Sequence, residues 1–408
     1  MKDLKALDEI DWTGLEHAYG PAGDVPDQLR ALAATDPSEV DKSLHALYGN
    51  IFHQGSRYQA TAYAVPFLTG LAADPATTGR DEILSLLASI AIGYDESWLP
   101  DGLPILEHRA ELDRLRATDP ETERARVAAW VEAAADESER TSREFEASLF
   151  DPQLVTANQQ WAVDAYDAVR ADLPHLLPLL GDADADVRTA CAYLLGWFPE
   201  DSATLGPALL DRIREDTSPV VRGTALIAYG LLAGPAAADV VAALDDPAPV
   251  VRAAAAIAAA RLGAVDSDRV VAVLVETMTA EATTRRNRLP FLDGNLPGYA
   301  ALALAQPAQH VDRAVDAVLT VLPTTAPYPA VPLVSALLGA VFPDGRVAPG
   351  TPFGGLTDRQ RRAVAGLAAA DFAWHGGQPG TTYVNLNEVV RAYGLPDQLE
   401  ALKTYTAS

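Results

Sequence analysis

One short segment gathers side chains of the kinds that bind ligands or transfer protons. The segment NIFHQGSRYQ supplies an amide, an imidazole, a guanidinium and a phenol on both sides of Gly55. We expect it to join the end of one helix to the start of the next, so that these side chains converge at one rim of the fold. The candidate ligand- or partner-binding residues, with two neighbours expected nearby, are His17, Tyr19, Asn50, His53, Gln54, Arg57 and Tyr58.

A structural role is the stronger interpretation of the same side chains. Helix ends leave backbone groups without partners, and amide, imidazole and guanidinium groups can satisfy them. Both interpretations place the residues at a helix junction. The sequence therefore favours a polar network between repeats and keeps a ligand site as the alternative.

Two further groups of residues are weaker candidates. Arg285, Arg286 and Arg288 form a basic cluster in a chain with 31 basic and 56 acidic residues. The cluster could meet an acidic partner or ligand, but pairing with the chain's own carboxylates is the commoner fate of surface arginines. Trp374 and His375 stand beside a glycine-rich stretch that lacks the features of a phosphate-binding loop.

Common catalytic and metal-binding patterns are missing from the sequence. The seven histidines are scattered, without the spacing of a zinc site. The run from Asp182 to Asp186 begins like a calcium loop but lacks the glycine and glutamate that such a loop needs. There is no Gly-x-Ser-x-Gly motif, and the lone Cys191 is expected to be a buried, unreactive thiol. We therefore predict no catalytic group, no metal and no cofactor.

The strongest pattern in the chain is a repeat. Three segments align without gaps: GDADADVRTACAYLLGWF, EDTSPVVRGTALIAYGLL and DDPAPVVRAAAAIAAARL. Each has a Val-Arg pair, an Asp five positions before the Val, and a small residue nine positions after it. We expect the Asp to accept backbone N–H groups in a turn before a helix, and the Arg to bond the turn of its own or an adjacent repeat. The repeating unit is therefore two helices joined by short turns.

This unit resembles HEAT repeats, in particular the short bacterial form found in phycobilin lyases, over residues 172–263 and more weakly around residues 36–49. DWTGLEHAYGPAGDVP, NIFHQGSRYQATAYAVPFL and AYLLGWFPED also resemble segments of a bacterial HEAT-repeat family that is frequent in actinobacteria. The resemblance implies an all-α fold, an α-α superhelix in which antiparallel helix pairs stack into a solenoid. It implies no reaction, although such HEAT proteins can be immunity proteins against secreted toxins.

The rhythm of helix pairs divides the expected solenoid into four parts. They are N-terminal helix pairs with a cap (1–93), a charged helical insertion (94–160), regular repeats (161–309) and a C-terminal helix pair with a cap (310–408). The insertion is interpreted as a solvated spacer, with a recognition arm as the alternative. Prolines interrupt the uncharged run at 317–343, which predicts two buried helices and no membrane span. With no signal peptide expected, a cytoplasmic location follows.

Net charge ranks the functional hypotheses. A charge of −25 disfavours nucleic acid and anionic membranes and suits a basic protein partner. Since only 4 of the 31 basic residues are Lys, genome composition or salt adaptation is another source of the charge. The leading hypothesis is a non-catalytic scaffold, an immunity-type or adaptor protein that binds a basic partner on its concave face. A small-molecule enzyme of the phycobilin-lyase type, with an enclosed pocket, is the alternative. An alkylpurine DNA glycosylase ranks third, because it needs a basic face.

Overall fold

The computed structural model shows an all-α protein, as the repeat pattern predicts. The helices come in packed pairs, which confirms the predicted solenoid class. The residues that the structure describes are 2–134, 137–234, 237–263, 268–279, 288–306, 308–348, 350–378 and 383–408. The chain divides into two compact units, Met1–Trp98 with Gly102–Arg212 and Leu99–Asp101 with Ile213–Ser408. The four sequence segments proposed above stay a prediction.

The first unit contains the N-terminal pairs, the charged helices and the first strong repeat. Its helices are α1 (Val25–Ala31), α2 (Pro37–Asn50), α3 (Gln59–Ala73), α4 (Arg80–Ile92), α5 (Ile105–Ala117), α6 (Pro120–Glu132), α7 (Glu137–Ser148), α8 (Pro152–Ala171), α9 (Leu173–Leu176), α10 (Ala185–Leu195) and the start of α11 (Ser202–Glu215). Local sequence sets the start of α2, where the Asp36 carboxylate accepts the Ser38 N–H and Pro37 occupies the first turn. Apolar residues at helical spacing bury α3 against α4 and α8.

Two short antiparallel hairpins precede and follow the first helix pair, where the sequence indicated no strands. Strand β1 (Glu16–His17) pairs with β2 (Gly20–Pro21), and β3 (Phe52–His53) pairs with β4 (Ser56–Arg57). The second turn places Gln54 and Gly55 at φ of 49° and 84°, the backbone of a tight primed turn. Strands of two residues leave no alternation of polar and apolar side chains, so periodicity could not reveal them.

In sequence, the helices of the insertion separate α4 from α10, two helices that pack directly on each other. Helix α10 packs against α4, although α5 to α9 separate them in sequence. Arg80 at the start of α4 donates to Asp182 in the turn before α10 at 2.7 Å, and both side chains are largely buried. The stacking of repeats therefore continues from α4 to α10. Helices α5 to α7 are mostly exposed and lie outside this stack.

The second unit contains the other strong repeats and the C-terminal helices. Its helices are α12 (Pro219–Leu231), α13 (Ala237–Ala242), α14 (Pro249–Arg261), α15 (Asp268–Thr279), α16 (Leu296–Ala305), α17 (Val311–Val321), α18 (Pro327–Val341), α19 (Asp358–Ala369), α20 (Asp371–His375), α21 (Val384–Ala392) and α22 (Leu399–Thr406). Helices α12 and α14 approach closely because position 230 is glycine; a Cβ there would lie 3.0 Å from the Ala258 Cα. Among the described residues, no helix is long and apolar enough to cross a membrane, and the uncharged run at 317–343 forms parts of α17 and α18, as predicted.

The three repeat turns share one hydrogen-bond pattern. In each turn the Asp carboxylate accepts the N–H two residues on, at 2.9, 2.9 and 2.8 Å. The Arg six residues later donates from Nη1 to the backbone carbonyl of the same Asp, at 2.8, 2.9 and 3.0 Å. The pairs are Asp182 with Arg188, Asp216 with Arg222, and Asp246 with Arg252. The predicted turn Asp and its Arg partner are thus confirmed.

Candidate functional site

His17 and Asn50 belong to a hydrogen-bonded network that ties the first hairpin to α1 and α2. The Asn50 amide donates to Gln28 at 2.9 Å and to Asp24 at 3.4 Å, and its backbone carbonyl accepts the Ala18 N–H. His17 accepts the Tyr19 N–H at Nδ1, so its Nε2 carries the proton that it donates to Asp24 at 2.9 Å. Both side chains are buried. This arrangement corresponds to the polar network that the sequence favoured for these positions.

Tyr19 and His53 form an exposed pair between the two hairpins. The Tyr19 side chain is 72% exposed. Its hydroxyl lies 3.4 Å from His53 Nδ1, and the two rings meet edge to face with centroids 5.4 Å apart. Gln54 lies at the exposed tip of the second hairpin. The structure therefore brings the residues near 17 and 50 together, as expected, but divides them into a buried network and an exposed edge.

Arg57 is the last residue of strand β4, and its guanidinium folds back onto its own hairpin. Nη1 donates to the Gly55 carbonyl at 2.5 Å. Nε is buried and has no hydrogen-bond partner in the described part of the chain. On the other side lies Gly93, the residue after α4, where a Cβ would stand 2.7 Å from Nη1. Glycine at position 93 therefore leaves the space that the guanidinium occupies.

Arg57 lacks the carboxylate that accompanies the comparable arginines of this unit. Four other arginines with side chains at most about one-third exposed form ion pairs: Arg80 with Asp182, Arg109 with Asp167, Arg143 with Glu139 and Arg170 with Asp201. No carboxylate of the described residues lies within 4.0 Å of the half-buried Arg57 guanidinium. Burial without a compensating charge lowers the pKa of Arg57 to about 10.

Residues from outside the candidate segment complete the surroundings of Arg57. Burial and the nearby positive charge of Arg57 lower the pKa of His108 on α5. The Gln159 amide donates to His108 Nδ1 at 3.1 Å, which leaves the proton of the neutral ring on Nε2. Trp98 packs edge to face on His108, with ring centroids 5.1 Å apart. Tyr94, 46% exposed, lies against Gly55, where a Cβ would stand 3.2 Å from its ring.

Sequence reasoning missed Gly93, Tyr94, Trp98 and His108. They follow Arg57 by 36 to 51 positions, and no spacing rule connects them to the hairpin. The only available signal was the concentration of aromatic residues in GYDESW, directly after the apolar helix that became α4.

Tyr58 connects this region to a cavity among the charged helices. Its ring lies 6.4 Å from that of Trp161 on α8. Trp161 also lines a cavity of about 460 Å³ whose other walls come from α5, α6, α8 and the segment between α5 and α6. None of its lining residues belongs to α1–α4. The enclosed pocket expected of the enzyme hypothesis, between the insertion and the N-terminal helices, is therefore not this cavity.

The remaining candidates lie in the second unit, and those that the structure describes have separate structural contacts. Arg288 forms an ion pair with Asp293 at 3.5 Å, the outcome that the sequence favoured, while Arg285 and Arg286 lie outside the described residues. Trp374 is buried and donates to the Leu367 carbonyl at 3.0 Å. His375 ends α20, and the positive φ of Gly376 and Gly377 ends the helix there.

Two negative expectations concern thiol and metal chemistry. Cys191 is fully buried, donates to the Leu176 carbonyl, and has its thiol pKa raised by burial. Within the described ranges, no group of three or more His, Cys, Asp or Glu could hold a metal ion. The chemistry that the Arg57 region offers is recognition: a cation without a carboxylate partner among the described residues, a neutral imidazole N–H and the exposed ring of Tyr94.

Matches to models of HEAT repeats support the architecture, and no comparison assigns an activity. A sequence model of HEAT repeats matches residues 206–289, and a HEAT-repeat model matches residues 173–196. No curated protein matches the chain. Among solved structures, an engineered protein from the Northeast Structural Genomics Consortium is 17% identical with a TM-score of 0.32, over 93% of this chain and 99% of that chain. The bacterial and phycobilin-lyase resemblances stay predictions, and the chain contains HEAT repeats.

Proposed function

We propose that this protein is a non-catalytic HEAT-repeat scaffold that binds a basic protein partner. One observation carries the proposal: the repeats use their own arginines internally. Arg188, Arg222 and Arg252 each donate to the backbone of their own turn, and Arg222 also holds both carboxylate oxygens of Asp246 at 3.0 and 2.9 Å. The excess carboxylates remain for solvent or a partner. This use of the arginines also disfavours the DNA glycosylase hypothesis, because phosphates need accessible basic side chains.

Carboxylates of the first unit lie close enough to repel one another. Burial raises the pKa of Asp81 on α4, and the nearby charges of Asp186 and Asp184 add to the effect. Burial also raises the pKa of its neighbour Glu82, with Asp81 and Asp41 contributing. In the described part of the chain, neither Asp81 nor Glu82 forms an ion pair. A cationic surface placed there would relieve the repulsion and accelerate association.

The test begins with the full-length tagged chain and extracts of its source organism, both lysate and secreted fraction. We expect a stoichiometric basic protein that is retained at low salt and released at high salt. Binding kinetics then compare the wild-type chain with the triple variant Asp81→Asn, Glu82→Gln, Asp186→Asn. Charges at the edge of an interface act mainly on the rate at which the partners meet. The association rate of the triple variant should therefore be about tenfold lower than that of wild type at low salt, and the two rates should converge at high salt.

A matched control removes the same charge elsewhere in the first unit. Glu121→Gln, Glu144→Gln and Glu146→Gln neutralise three exposed carboxylates of α6 and α7 for which no ion pair occurs in the described residues. If both triple variants slow association equally, total charge and not this surface steers the partner. Retention that is equal at low and high salt would contradict the proposal. An immunity-type role further requires that the captured partner be a toxin whose activity the chain suppresses, whereas an adaptor leaves that activity unchanged.

A further inference from the structure

The guanidinium of Arg57 has no carboxylate partner among the described residues, and its own hairpin holds it in place. Its Nη1 is fixed by the Gly55 carbonyl at 2.5 Å, and Gly93 provides the room beside it. A side chain held in this way has already lost the rotational freedom that a flexible surface arginine must lose on binding. The chain places 56 carboxylates on its surface and interior, yet none of the described ones reaches this arginine.

Burial of an unpaired cation costs stability, so the arrangement calls for a partner from outside. A half-buried charge without a counterion carries a desolvation penalty that one carbonyl contact offsets only in part. The buried Nε–H, which has no acceptor among the described residues, adds an unsatisfied donor to the same group. An anion bound at the exposed part of the guanidinium would supply the missing counterion.

The neighbouring groups select the kind of anion. The neutral His108 ring carries its proton on Nε2 because Gln159 occupies Nδ1 at 3.1 Å. Burial, and then the nearby charge of Arg57, lower the pKa of His108. Tyr94 is 46% exposed beside Gly55, and Trp98 stands against His108 with centroids 5.1 Å apart. These rings offer flat apolar contact next to a planar guanidinium fork.

We propose that Arg57, beside hairpin β3–β4, Gly93 and Tyr94, binds the carboxylate of a small aromatic acid. The carboxylate pairs with the guanidinium, His108 supplies an additional N–H donor, and the aromatic ring of the ligand packs on Tyr94. This inference does not depend on the proposed protein partner. It can be tested with small anions alone.

The experiment titrates the full-length protein with benzoate, acetate, inorganic phosphate and the neutral analogue benzamide. Calorimetry gives affinity, and NMR of the His108 ring gives a local signal. We expect benzoate to bind about tenfold or more tightly than acetate, and benzamide to bind more weakly than benzoate by a similar factor. Bound benzoate should also raise the pKa of His108, because it neutralises the charge of Arg57.

Arg57→Gln should weaken benzoate binding at least about tenfold, and Arg57→Lys should weaken it less, because the charge remains while the planar fork is lost. Arg124→Gln is the matched control, since Arg124 is an exposed arginine of the same unit without an ion pair in the described residues. Circular dichroism of each variant checks the fold, and Arg57→Lys keeps the test valid if Arg57→Gln does not fold.

Three results would overturn the inference. The first is the absence of benzoate binding up to about 10 mM, the weak end of specific recognition. The second is benzoate affinity that is unchanged in Arg57→Gln and Arg57→Lys. The third is phosphate binding as tight as benzoate binding, which would show that the site selects charge without the aromatic ring.

Discussion

Arg57 and Arg80 are arginines of the same unit in opposite electrostatic situations. Arg80 is 9% exposed in its side chain, donates from Nε to the Ala72 carbonyl, and pairs with Asp182 at 2.7 Å. Arg57 makes one carbonyl contact and has no carboxylate in the described residues. Removing a charge from a buried pair leaves its partner uncompensated, whereas removing an unpaired charge relieves a desolvation penalty.

Replacing each arginine by methionine should therefore change the free energy of unfolding by clearly different amounts. We expect Arg80→Met to lower the free energy of unfolding by about 3 kcal/mol, because Asp182 loses its partner in a largely buried position. Arg57→Met should leave stability within about 1 kcal/mol of wild type or increase it. Urea denaturation followed by circular dichroism measures both. If Arg57→Met lowers the free energy of unfolding as much as Arg80→Met does, the contact of Arg57 with Gly55 stabilises the fold, and a ligand is not needed to explain why arginine occupies this position.

At the scale of elements, the repeat turn links successive helix pairs through one carboxylate. The Asp246 carboxylate accepts the Ala248 N–H at 2.8 Å within its own turn. Both of its oxygens also accept hydrogen bonds from Nη2 of Arg222 in the preceding repeat. The side chain of its neighbour Asp245 is 71% exposed and, among the described residues, forms an ion pair only with Arg269, which is also exposed. Adjacent carboxylates thus differ in burial and in the number of partners.

Asp246→Ala should destabilise the second unit by about 2–3 kcal/mol, because it removes a turn bond and a charge-assisted pair that is largely shielded from water. Asp245→Ala removes an exposed ion pair and should cost less than about 1 kcal/mol. Chemical denaturation of the two variants under the same conditions provides the comparison. Equal costs would show that the contact between repeats contributes nothing beyond a surface charge.

The turn was predictable from sequence because its chemistry is local and repeated. The phase of Asp and Val-Arg in three copies identified the acceptor, the donor and the approximate helix starts before Val187, Val221 and Val251. Gln54 and Gly55 could have indicated a tight turn, but strands of two residues give no periodic signal.

The surroundings of Arg57 were not predictable in the same way. Its contact with Gly93 depends on how α3 packs against α4, and its proximity to His108 depends on where the chain returns after the apolar helix. Neither relation repeats along the sequence. A single sequence can therefore identify Arg57 as a candidate, while the absence of a counterion among the described residues is a property of the three-dimensional arrangement.

For the whole molecule, the same excess of carboxylates acts on folding and on binding. With 56 acidic and 31 basic residues, the folded chain concentrates negative charge that the unfolded chain disperses. Dissolved salt screens this repulsion, and it also screens the attraction of a basic partner. Folding and partner binding should consequently respond to salt with opposite signs.

Raising NaCl from about 0.02 M to about 0.5 M, which shortens the screening length severalfold, should raise the thermal unfolding midpoint and slow partner association. Exposed ion pairs such as Arg359 with Asp312 oppose the first effect, because salt weakens them, but each contributes little. Differential scanning calorimetry and binding kinetics in the same buffers measure the two responses. A midpoint that falls with salt would mean that ion pairs outweigh the repulsion. Even if every basic residue paired with a carboxylate, a net charge of −25 would remain, so we expect repulsion to dominate.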